Sequence, residues 1–312
     1  MKLSGTTKNL RIRCCAPNRQ NPLTPPPLKR PTSGLDMMTR RGLILAALLL
    51  PRRGMALRPG HRGMVRLPGG TFRMGTDENL LLRQFPDAGA GLREMLLAET
   101  PAHEVTIPPF WIDRYEVTNA RFHEFTRTQP EWRKERIGGE YLRHWSGGQP
   151  PAGEADFPVV FVSWRAALAY AEWAGARLPT EAEWEFAARG GRAARYVWGD
   201  QDPNPRLANY GESGKHRPVR VGSYPPNRYG LFDLAGNVWE FCLDEWQSRY
   251  PSTGQRQTES GLRRMRDARA ERRVIRGGSF DGAPFNLRVT SRDSHRAENP
   301  VGHVGFRCAL GV

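Results

Sequence analysis

Three stretches of the chain carry apolar residues at helical spacing, and each follows a residue that can cap a helix. Thr118 precedes the first stretch and Ser163 the second, and both can accept a backbone hydrogen bond through the side-chain oxygen. Thr180 and Glu183 form the Ser/Thr-x-x-Glu pattern of a capping box ahead of the third, and Gly190 lies where that helix should end. The pattern therefore predicts three short helices.

The segments 64–75 and 103–115 have the residue pattern of strands, and Pro108 and Pro109 interrupt the second segment. We interpret residues 77–100 as an insertion with short helical pieces near 80–82 and 92–97, and residues 247–273 as a polar surface excursion. The 33 glycines and 26 prolines predict many turns. The sequence thus indicates one α+β domain with little regular secondary structure over residues 64–311.

The net charge of +15 lies mostly outside this domain. Residues 1–63 contain three Lys, ten Arg and one acidic residue, whereas the rest of the chain holds 34 basic and 31 acidic residues. A nucleic-acid-binding domain carries its positive charge as a patch on the folded part. The charge distribution therefore argues against a nucleic-acid partner.

The first part of the chain resembles a targeting segment. Residues 1–36 are Pro-rich and polar, which indicates either a disordered leader or a stretch upstream of the true start at Met37 or Met38. Arg40 and Arg41 precede the apolar run Leu43–Leu50, as in a twin-arginine export signal over residues 37–56. Because that run has only eight residues, it is too short for a transmembrane helix. We expect a periplasmic or secreted bacterial protein without a transmembrane span.

Seven blocks of the domain stand in the order of a known family. They are LPGGTFRMG at 67–75, FWIDRYEVTNARFHEF at 110–125, FPVVFVSWRAALAYAEWAGARLPTEAEWEFAARGG at 157–191, YVWGD at 196–200, YPPNRYGLFDLAGNVWEF at 224–241, VIRGGSF at 274–280 and GFRCA at 305–309. This set resembles the formylglycine-generating enzyme, or sulfatase-modifying factor, family. The resemblance implies a C-type-lectin-like fold and a protein or peptide as substrate or partner.

The family's copper site is missing from this sequence. In formylglycine-generating enzymes two cysteines between the GGS and GFR blocks bind copper(I) and oxidise a target cysteine with molecular oxygen. The segment between Ser279 and Gly305 contains no cysteine, and counting back from Arg292 places the two positions at Pro284 and Val289. The ergothioneine branch of the family takes its iron-binding histidines from a separate helical domain, which is absent here. The sequence therefore supports neither copper nor iron.

The remaining candidates for catalysis are His295, His303 and Cys308. The two histidines lie in the loop that replaces the cysteine-bearing region, where they could hold a metal together with Glu298, or simply be solvated. Cys308 and Cys242 are the thiols beyond the leader, which itself contains Cys14 and Cys15. Cys242 and Cys308 could form a disulfide, lie buried as two small apolar residues, or act as a redox pair.

Calcium is the metal that the resemblance favours, because the family uses this ion to hold irregular backbone and the ion prefers oxygen ligands. Asn209 and the carbonyl of Tyr210 resemble the start of one family site, although its acidic partner is missing. Asn237, the carbonyl of Val238 and Glu240 resemble part of a second site. Alternatively, Asn237 caps a turn.

Four arginines and one serine fall in the last third of the chain, where the family builds its substrate groove. Arginines there could recognise a carboxylate or phosphate, or they could tie loops to backbone carbonyls. The groove candidates are Ser279, Arg288, Arg292 and Arg307, with Arg276 close by in the sequence.

Two functions remain open at this point, and the sequence leaves open whether the protein is an enzyme. One is an exported accessory oxidase that matures a periplasmic protein or peptide without the standard copper–thiolate site. The alternative is a non-catalytic ligand-binding or assembly module on the same scaffold. For that module Trp132, Tyr141 and Trp145 could form the contact surface, or they could cover the core.

Overall fold

The computed structural model describes residues 63–253, 255–267 and 269–311. The predicted leader and the predicted export signal, residues 1–36 and 37–56, lie outside the described residues. In the part that is described, no helix is long and apolar enough to cross a membrane.

Short helices and strands alternate with long stretches of irregular chain. The helices of the described part are α1 (Glu78–Gln84), α2 (Ala90–Leu97), α3 (Asn119–Thr128), α4 (Lys134–Ile137), α5 (Trp164–Trp173), α6 (Glu181–Arg189) and α7 (Glu259–Asp267). The strands are β1 (Met64–Leu67), β2 (Gly70–Met74), β3 (His103–Ile107), β4 (Phe110–Asp113), β5 (Trp239–Glu245), β6 (Gln255–Arg256), β7 (Arg272–Arg276), β8 (Arg292–Arg296), β9 (Val304–Gly305) and β10 (Ala309–Gly311).

The three helices with predicted caps form as expected. The side chains of Thr118 and Ser163 accept backbone hydrogen bonds at the starts of α3 and α5. In α6 the Thr180 hydroxyl accepts from the Glu183 amide, and the Glu183 carboxylate accepts from the Thr180 amide, which completes the capping box. Gly190 ends α6 in the left-handed conformation, with φ of 58°.

The strands assemble into three small sheets. In the first, β4 lies between β1 and β10 and is antiparallel to both, so strands from the two ends of the domain meet. In the second, β3 pairs with β2 antiparallel and with β6 parallel. The third has the order β8-β7-β5-β9, with β5 and β9 parallel. Ser279 follows β7 of this third sheet, His303 precedes β9, and His295 lies in β8.

Two apolar clusters form the core, and each of the longer helices contributes to one. Trp184 of α6 is buried in the first cluster, together with residues of β1 to β4. Trp164 and Tyr170 of α5 are buried in the second, where Phe122 of α3 stacks on Tyr170 with ring centroids 5.6 Å apart. Each such side chain removed from water stabilises the fold by about 1.5–3 kcal/mol.

Two sequence interpretations need correction. The excursion 247–273 contains the helix α7 and the strand β6, and Leu262 and Met265 of α7 pack against the second cluster. The aromatic residues proposed as a contact surface are instead part of the core. Tyr141 and Trp145 are fully buried, and Trp132 is partly buried against the same cluster.

Candidate functional site

A polar cluster occupies the segment where the family would carry its cysteines. Gly277 and Gly278 follow β7 with positive φ angles of 99° and 78°. A Cβ atom on Gly277 would lie 3.1 Å from the Trp184 ring, so the turn favours glycine for space as well as conformation. The turn leads to Ser279, whose hydroxyl donates a 2.6 Å hydrogen bond to Asp281 Oδ1.

Asp281 joins the serine to a histidine. The Nδ1 atom of His303 lies 3.5 Å from Asp281 Oδ2, and both side chains are partly open to solvent. The position of His303 is set from the third sheet, because its carbonyl accepts a 2.8 Å hydrogen bond from the amide of Trp239 in β5. Ser279, Asp281 and His303 therefore form one connected polar cluster.

His295 of β8 completes the cluster from the adjacent strand. Its ring centroid is 6.3 Å from that of His303, and its Nε2 lies 2.8 Å from the carbonyl oxygen of Asn299. Burial lowers the pKa of His295, so its imidazole is neutral at pH 7. Burial also raises the pKa of the neighbouring Asp293. We call Ser279, Asp281, His295 and His303 the loop cluster.

The loop cluster can bind polar groups, but it is not arranged as a nucleophile with a base. The Ser279 hydroxyl gives its hydrogen to a carboxylate and not to an imidazole, so it lacks the hydrogen bond that activates a catalytic serine. His295, His303 and Glu298 do not form the predicted metal centre, because Glu298 pairs with Arg165. Within the described residues, no group of three His, Cys, Asp or Glu side chains could hold a metal ion.

The two thiols offer no redox chemistry. Cys242 and Cys308 are free and buried, so the suggested disulfide is not formed. They lie in different core clusters, and the alternative of two small buried apolar residues describes the structure. Burial raises the pKa of both thiols well above the ordinary value, which keeps them protonated and unreactive. Cys308 is therefore removed from the catalytic candidates.

The arginines predicted to line a substrate groove are mostly engaged inside the protein. Arg307 is fully buried and holds Glu240 through two hydrogen bonds of 2.7 Å each. Arg288 holds Glu99 in the same way at 3.0 and 2.6 Å. Such pairs join distant parts of the chain and leave no guanidinium face for a substrate carboxylate.

Arg292 and Arg276 meet on a single carboxylate of α6. Glu181 accepts hydrogen bonds from both arginines and from the Tyr250 hydroxyl, and the two guanidinium groups lower the pKa of Glu181 against the effect of burial. Arg276 also holds Glu185 at 2.8 Å. In this structure the arginines connect strands, helix α6 and loops to one another, and their part in a substrate groove stays a prediction; Ser279 lies in the loop cluster.

The predicted calcium ligands Asn209 and Asn237 lie next to each other. The side-chain oxygens of the predicted ligands already accept hydrogen bonds from other groups of the protein. Asn209 Oδ1 accepts from Ser213, and Asn237 Oδ1 accepts from the amide of Val219 at 2.9 Å. The Glu240 carboxylate accepts from Arg307 and, at 3.0 Å, from Trp184. The carbonyl of Tyr210 accepts a hydrogen bond from the Ser213 amide. At Val238 the predicted ligand is the backbone carbonyl and not a side-chain oxygen.

Asp233, which the sequence does not indicate as a ligand, has a side-chain oxygen that could bind a metal ion. Asp233 Oδ1 is buried and has no hydrogen-bond partner in the described structure. Burial raises the pKa of Asp233 to about 6, and burial together with Asp233 and Glu240 raises the pKa of Glu116 well above its usual value. Three buried carboxylates, those of Asp233, Glu116 and Glu240, lie around one buried arginine, Arg307, which leaves an excess of negative charge, although these three described side chains do not form a metal-binding group by themselves.

Asp281 is the other residue that the sequence analysis missed. A signal was present, because Asp281 follows Ser279 by two residues inside the block that replaces the cysteine-bearing segment. Its link to His303 depends on the third sheet, in which β5 pairs with both β7 and β9, and residue spacing does not reveal this pairing.

Comparison with known proteins decides the family. A family model described as the sulfatase-modifying factor enzyme 1-like domain matches residues 55–312. The chain belongs to this family. Its predicted C-type-lectin-like fold is also confirmed, since the structure of PvdO from Pseudomonas aeruginosa is similar with a TM-score of 0.60 at 27% identity, covering 80% of this chain and 94% of that one.

Sulfatase-modifying factor relatives of this chain include active and inactive members. It is similar to the formylglycine-generating enzyme of Thermomonospora curvata, at 36% identity over 80% of this chain and 93% of the relative. It is also similar to the inactive C-alpha-formylglycine-generating enzyme 2 of Bos taurus, at 35% identity over 86% of this chain and 95% of the relative. Family membership alone therefore does not decide whether this chain is catalytic.

Proposed function

We propose that this sulfatase-modifying factor protein binds a protein or peptide partner and does not oxidise it through a copper–thiolate centre. The observation that carries the proposal is the location of the thiols, because Cys242 and Cys308 are buried in separate cores and the segment 279–305 has none. Copper(I) requires soft ligands such as thiolate, which the loop cluster does not supply. The similarity to formylglycine-generating enzymes supports a polypeptide as the partner.

The loop cluster is the surface we assign to the partner. Asp281 and His303 are partly exposed beside each other, so they can pair with polar groups of an incoming chain. Ala283, two residues beyond Asp281, is exposed and has a short side chain. A partner bound over the loop cluster would therefore pass close to Ala283.

The test combines an activity assay with site-specific cross-linking on the full chain. We expect no conversion of cysteine to formylglycine in a peptide substrate supplied with copper(I) and oxygen, under conditions where the Thermomonospora curvata enzyme is active. A photo-cross-linking residue at Ala283 should capture a defined polypeptide in the producing cell, and the same residue at exposed Arg83 on α1 should not. Conversion of the peptide, or equal labelling at both positions, would overturn the proposal.

A second candidate is the accessory oxidase, which one observation favours. The imidazoles of His295 and His303 lie 6.3 Å apart near Asp281, and imidazole is a common ligand of redox-active transition metals. In that case, oxygen uptake with the captured partner should depend on added metal and disappear in the His295→Gln variant. Binding without oxygen uptake would exclude this candidate.

We further propose a structural calcium ion at Asp233, with backbone carbonyl oxygens supplying the ligands that the neighbouring side chains do not. The ion would neutralise charge that burial otherwise disfavours, and the unpartnered Asp233 Oδ1 would be one of its ligands. Removing calcium with a chelator should lower the unfolding temperature of the wild type and leave that of Asp233→Asn unchanged. Asp87→Asn, at an exposed carboxylate, is the matched control and should respond like the wild type.

Export is proposed from the sequence alone, through the paired arginines ahead of Leu43–Leu50. Replacing Arg40 and Arg41 by Lys should retain the protein in the cytoplasm, as fractionation would show. An unchanged distribution would argue against this route.

A further inference from the structure

A separate cavity lies beneath α7, away from the residues of the loop cluster. It has a volume of about 320 Å³. Its walls come from β2, β3, β5, β8, α6, α7 and the segment after β5, and they include His103, Asp244, Tyr250, Arg264, Met265 and Arg292. A second cavity of about 250 Å³ shares Asp244, Arg264 and Met265 with it. These volumes suit a small molecule and not a folded partner.

Some polar groups of the cavity wall already form hydrogen bonds within the protein. Arg292 donates two hydrogen bonds to Glu181 and two more to the carbonyls of Ala98 and Gln247. The Tyr250 hydroxyl donates to Glu181 at 2.8 Å. Arg292 and Tyr250 shape the cavity, but their hydrogen-bond donors already bind groups of the protein. They are therefore not available to form hydrogen bonds with a ligand.

Asp244, Arg264 and His103 are the wall groups that we consider for a ligand, and the exposed Glu245 also lies on the wall. Asp244 uses one oxygen, Oδ2, to accept the amide of Glu181 at 2.7 Å, and its other oxygen has no partner in the described structure. In the described part of the chain, no carboxylate lies within 4.0 Å of Arg264 on α7, whereas its neighbours Arg263 and Arg266 do form ion pairs. The side chain of His103 is only 6% exposed, and its Nε2 has no hydrogen-bond partner.

Asp244 and Arg264 carry opposite charges, and they do not form an ion pair with each other. An unpaired carboxylate and an unpaired guanidinium around one small cavity complement a ligand that carries both an ammonium and a carboxylate. Met74 and Met265 line the same cavity and offer flexible apolar contacts to a side chain. Burial and the charge of Glu181 raise the pKa of Asp244 to about 7, against the opposing effects of the Glu181 amide and Arg292.

We propose that this cavity binds a zwitterionic amino compound about the size of one amino acid, with its ammonium on Asp244 and its carboxylate on Arg264. His103 Nε2 provides a further polar contact, and the methionines hold an apolar side chain. This site is independent of the loop cluster, so it stands whether or not the proposed partner binding is correct.

Calorimetric titration of the full chain with three probes tests the proposal. L-Leucine carries both charges, leucinamide lacks the carboxylate, and N-acetyl-leucine lacks the ammonium. We expect leucine to bind, leucinamide to bind about 10-fold more weakly, and N-acetyl-leucine to show no binding, because each lost charged hydrogen bond costs at least that factor.

Variants assign each charge to its residue. Asp244→Asn keeps an oxygen for the Glu181 amide and should weaken leucine binding about 10-fold or more. Arg264→Gln should remove the preference for leucine over leucinamide. Glu104→Gln is the matched control, since Glu104 adjoins His103 in β3 but is exposed, and it should change nothing.

Three results would overturn the proposal. One is the absence of leucine binding by the wild type at about 10 mM, the weak limit for a small charged ligand. Another is equal binding of leucine and N-acetyl-leucine. The third is unchanged leucine affinity in folded Asp244→Asn, with circular dichroism and an unfolding transition used to show that the variant is folded.

Discussion

At the scale of single residues, Arg307 shows how the fold depends on buried charge. All five of its guanidinium hydrogen bonds are made, to Glu240 and to the carbonyls of Asp113, Arg114 and Phe232. Both Arg307 and Glu240 are fully buried. Removing one partner of such a pair leaves an uncompensated charge in a place without water.

We predict that Arg307→Met lowers the free energy of unfolding by about 3–5 kcal/mol. Urea-induced unfolding, followed by tryptophan fluorescence, measures the change. Arg263→Gln is the control, because Arg263 forms an exposed pair with Glu259 one helical turn away and should cost less than about 0.5 kcal/mol. A loss below about 1 kcal/mol in Arg307→Met would contradict the role given to this pair.

Asp244 gives a prediction about pH. Its pKa is raised from 3.8 to about 7, first by burial and then by the charge of Glu181, while Arg292 acts in the opposite direction and Glu183 adds to the increase. Folding therefore disfavours the ionised form. The resulting destabilisation is absent below the unfolded pKa, grows as the pH rises above it and is complete above about pH 7.

Asn at position 244 is neutral at every pH, so Asp244→Asn should raise the unfolding temperature more at pH 8 than at pH 5. The difference should become small at about pH 3, where Asp244 is mostly protonated in both the folded and the unfolded state. Thermal unfolding at these three pH values measures it, with exposed Asp87→Asn as the control. An equal shift at pH 5 and pH 8 would show that the Asp244 charge is not the cause.

At the scale of elements, the helices show what local sequence can predict. Residues 118, 163 and 180 were identified as caps because capping depends on a side chain and an amide three positions apart. Helix α7 is strongly polar, so its apolar periodicity is weak, although Thr258 caps it by accepting from the Gly261 amide. It is held by Leu262 and Met265 on the second core cluster. Its helical state thus depends on contacts with chain far away in the sequence.

Strand partners and ion-pair partners could not be predicted for the same reason. The pairing of β10 with β4 joins residues almost two hundred positions apart, as does the contact of Arg288 with Glu99. Residue spacing indicates that a strand or a buried arginine exists, but not which element it meets. The sequence indicates three of the four residues of the loop cluster, Ser279, His295 and His303, but not Asp281, which connects two of them.

The capping box of α6 yields a prediction at this scale. Thr180→Ala should cost about 1 kcal/mol of unfolding free energy, because the Glu183 amide loses its partner while buried. The same urea measurement detects it. Thr128→Ala serves as the control, since Thr128 is exposed at the end of α3 and bonds only to carbonyls of its own helix. Equal losses in the two variants would mean that the box contributes no specific stability.

At the scale of the whole molecule, the two core clusters contain one free cysteine each, and this supports the proposal that the protein does not act through a copper–thiolate centre. Cys242 lies in the cluster around Trp184, and Cys308 lies in the cluster around Trp164. A thiol reagent reaches either sulfur only when the core opens, and burial further suppresses reaction by raising both pKa values.

We therefore predict that the chain with Cys14 and Cys15 replaced by Ser reacts with no thiol reagent while folded. After denaturation in urea, two thiols should react, and the number should be the same with or without prior reduction, because both cysteines are free. The unfolding temperature should likewise be insensitive to reductant. If two thiols appeared only after reduction, the cysteines would be bonded and the cores would have to meet at that point. If one of the two thiols reacted quickly in the folded protein, copper could also reach that sulfur. A copper-dependent oxidase would then explain the function of this protein better than partner binding alone.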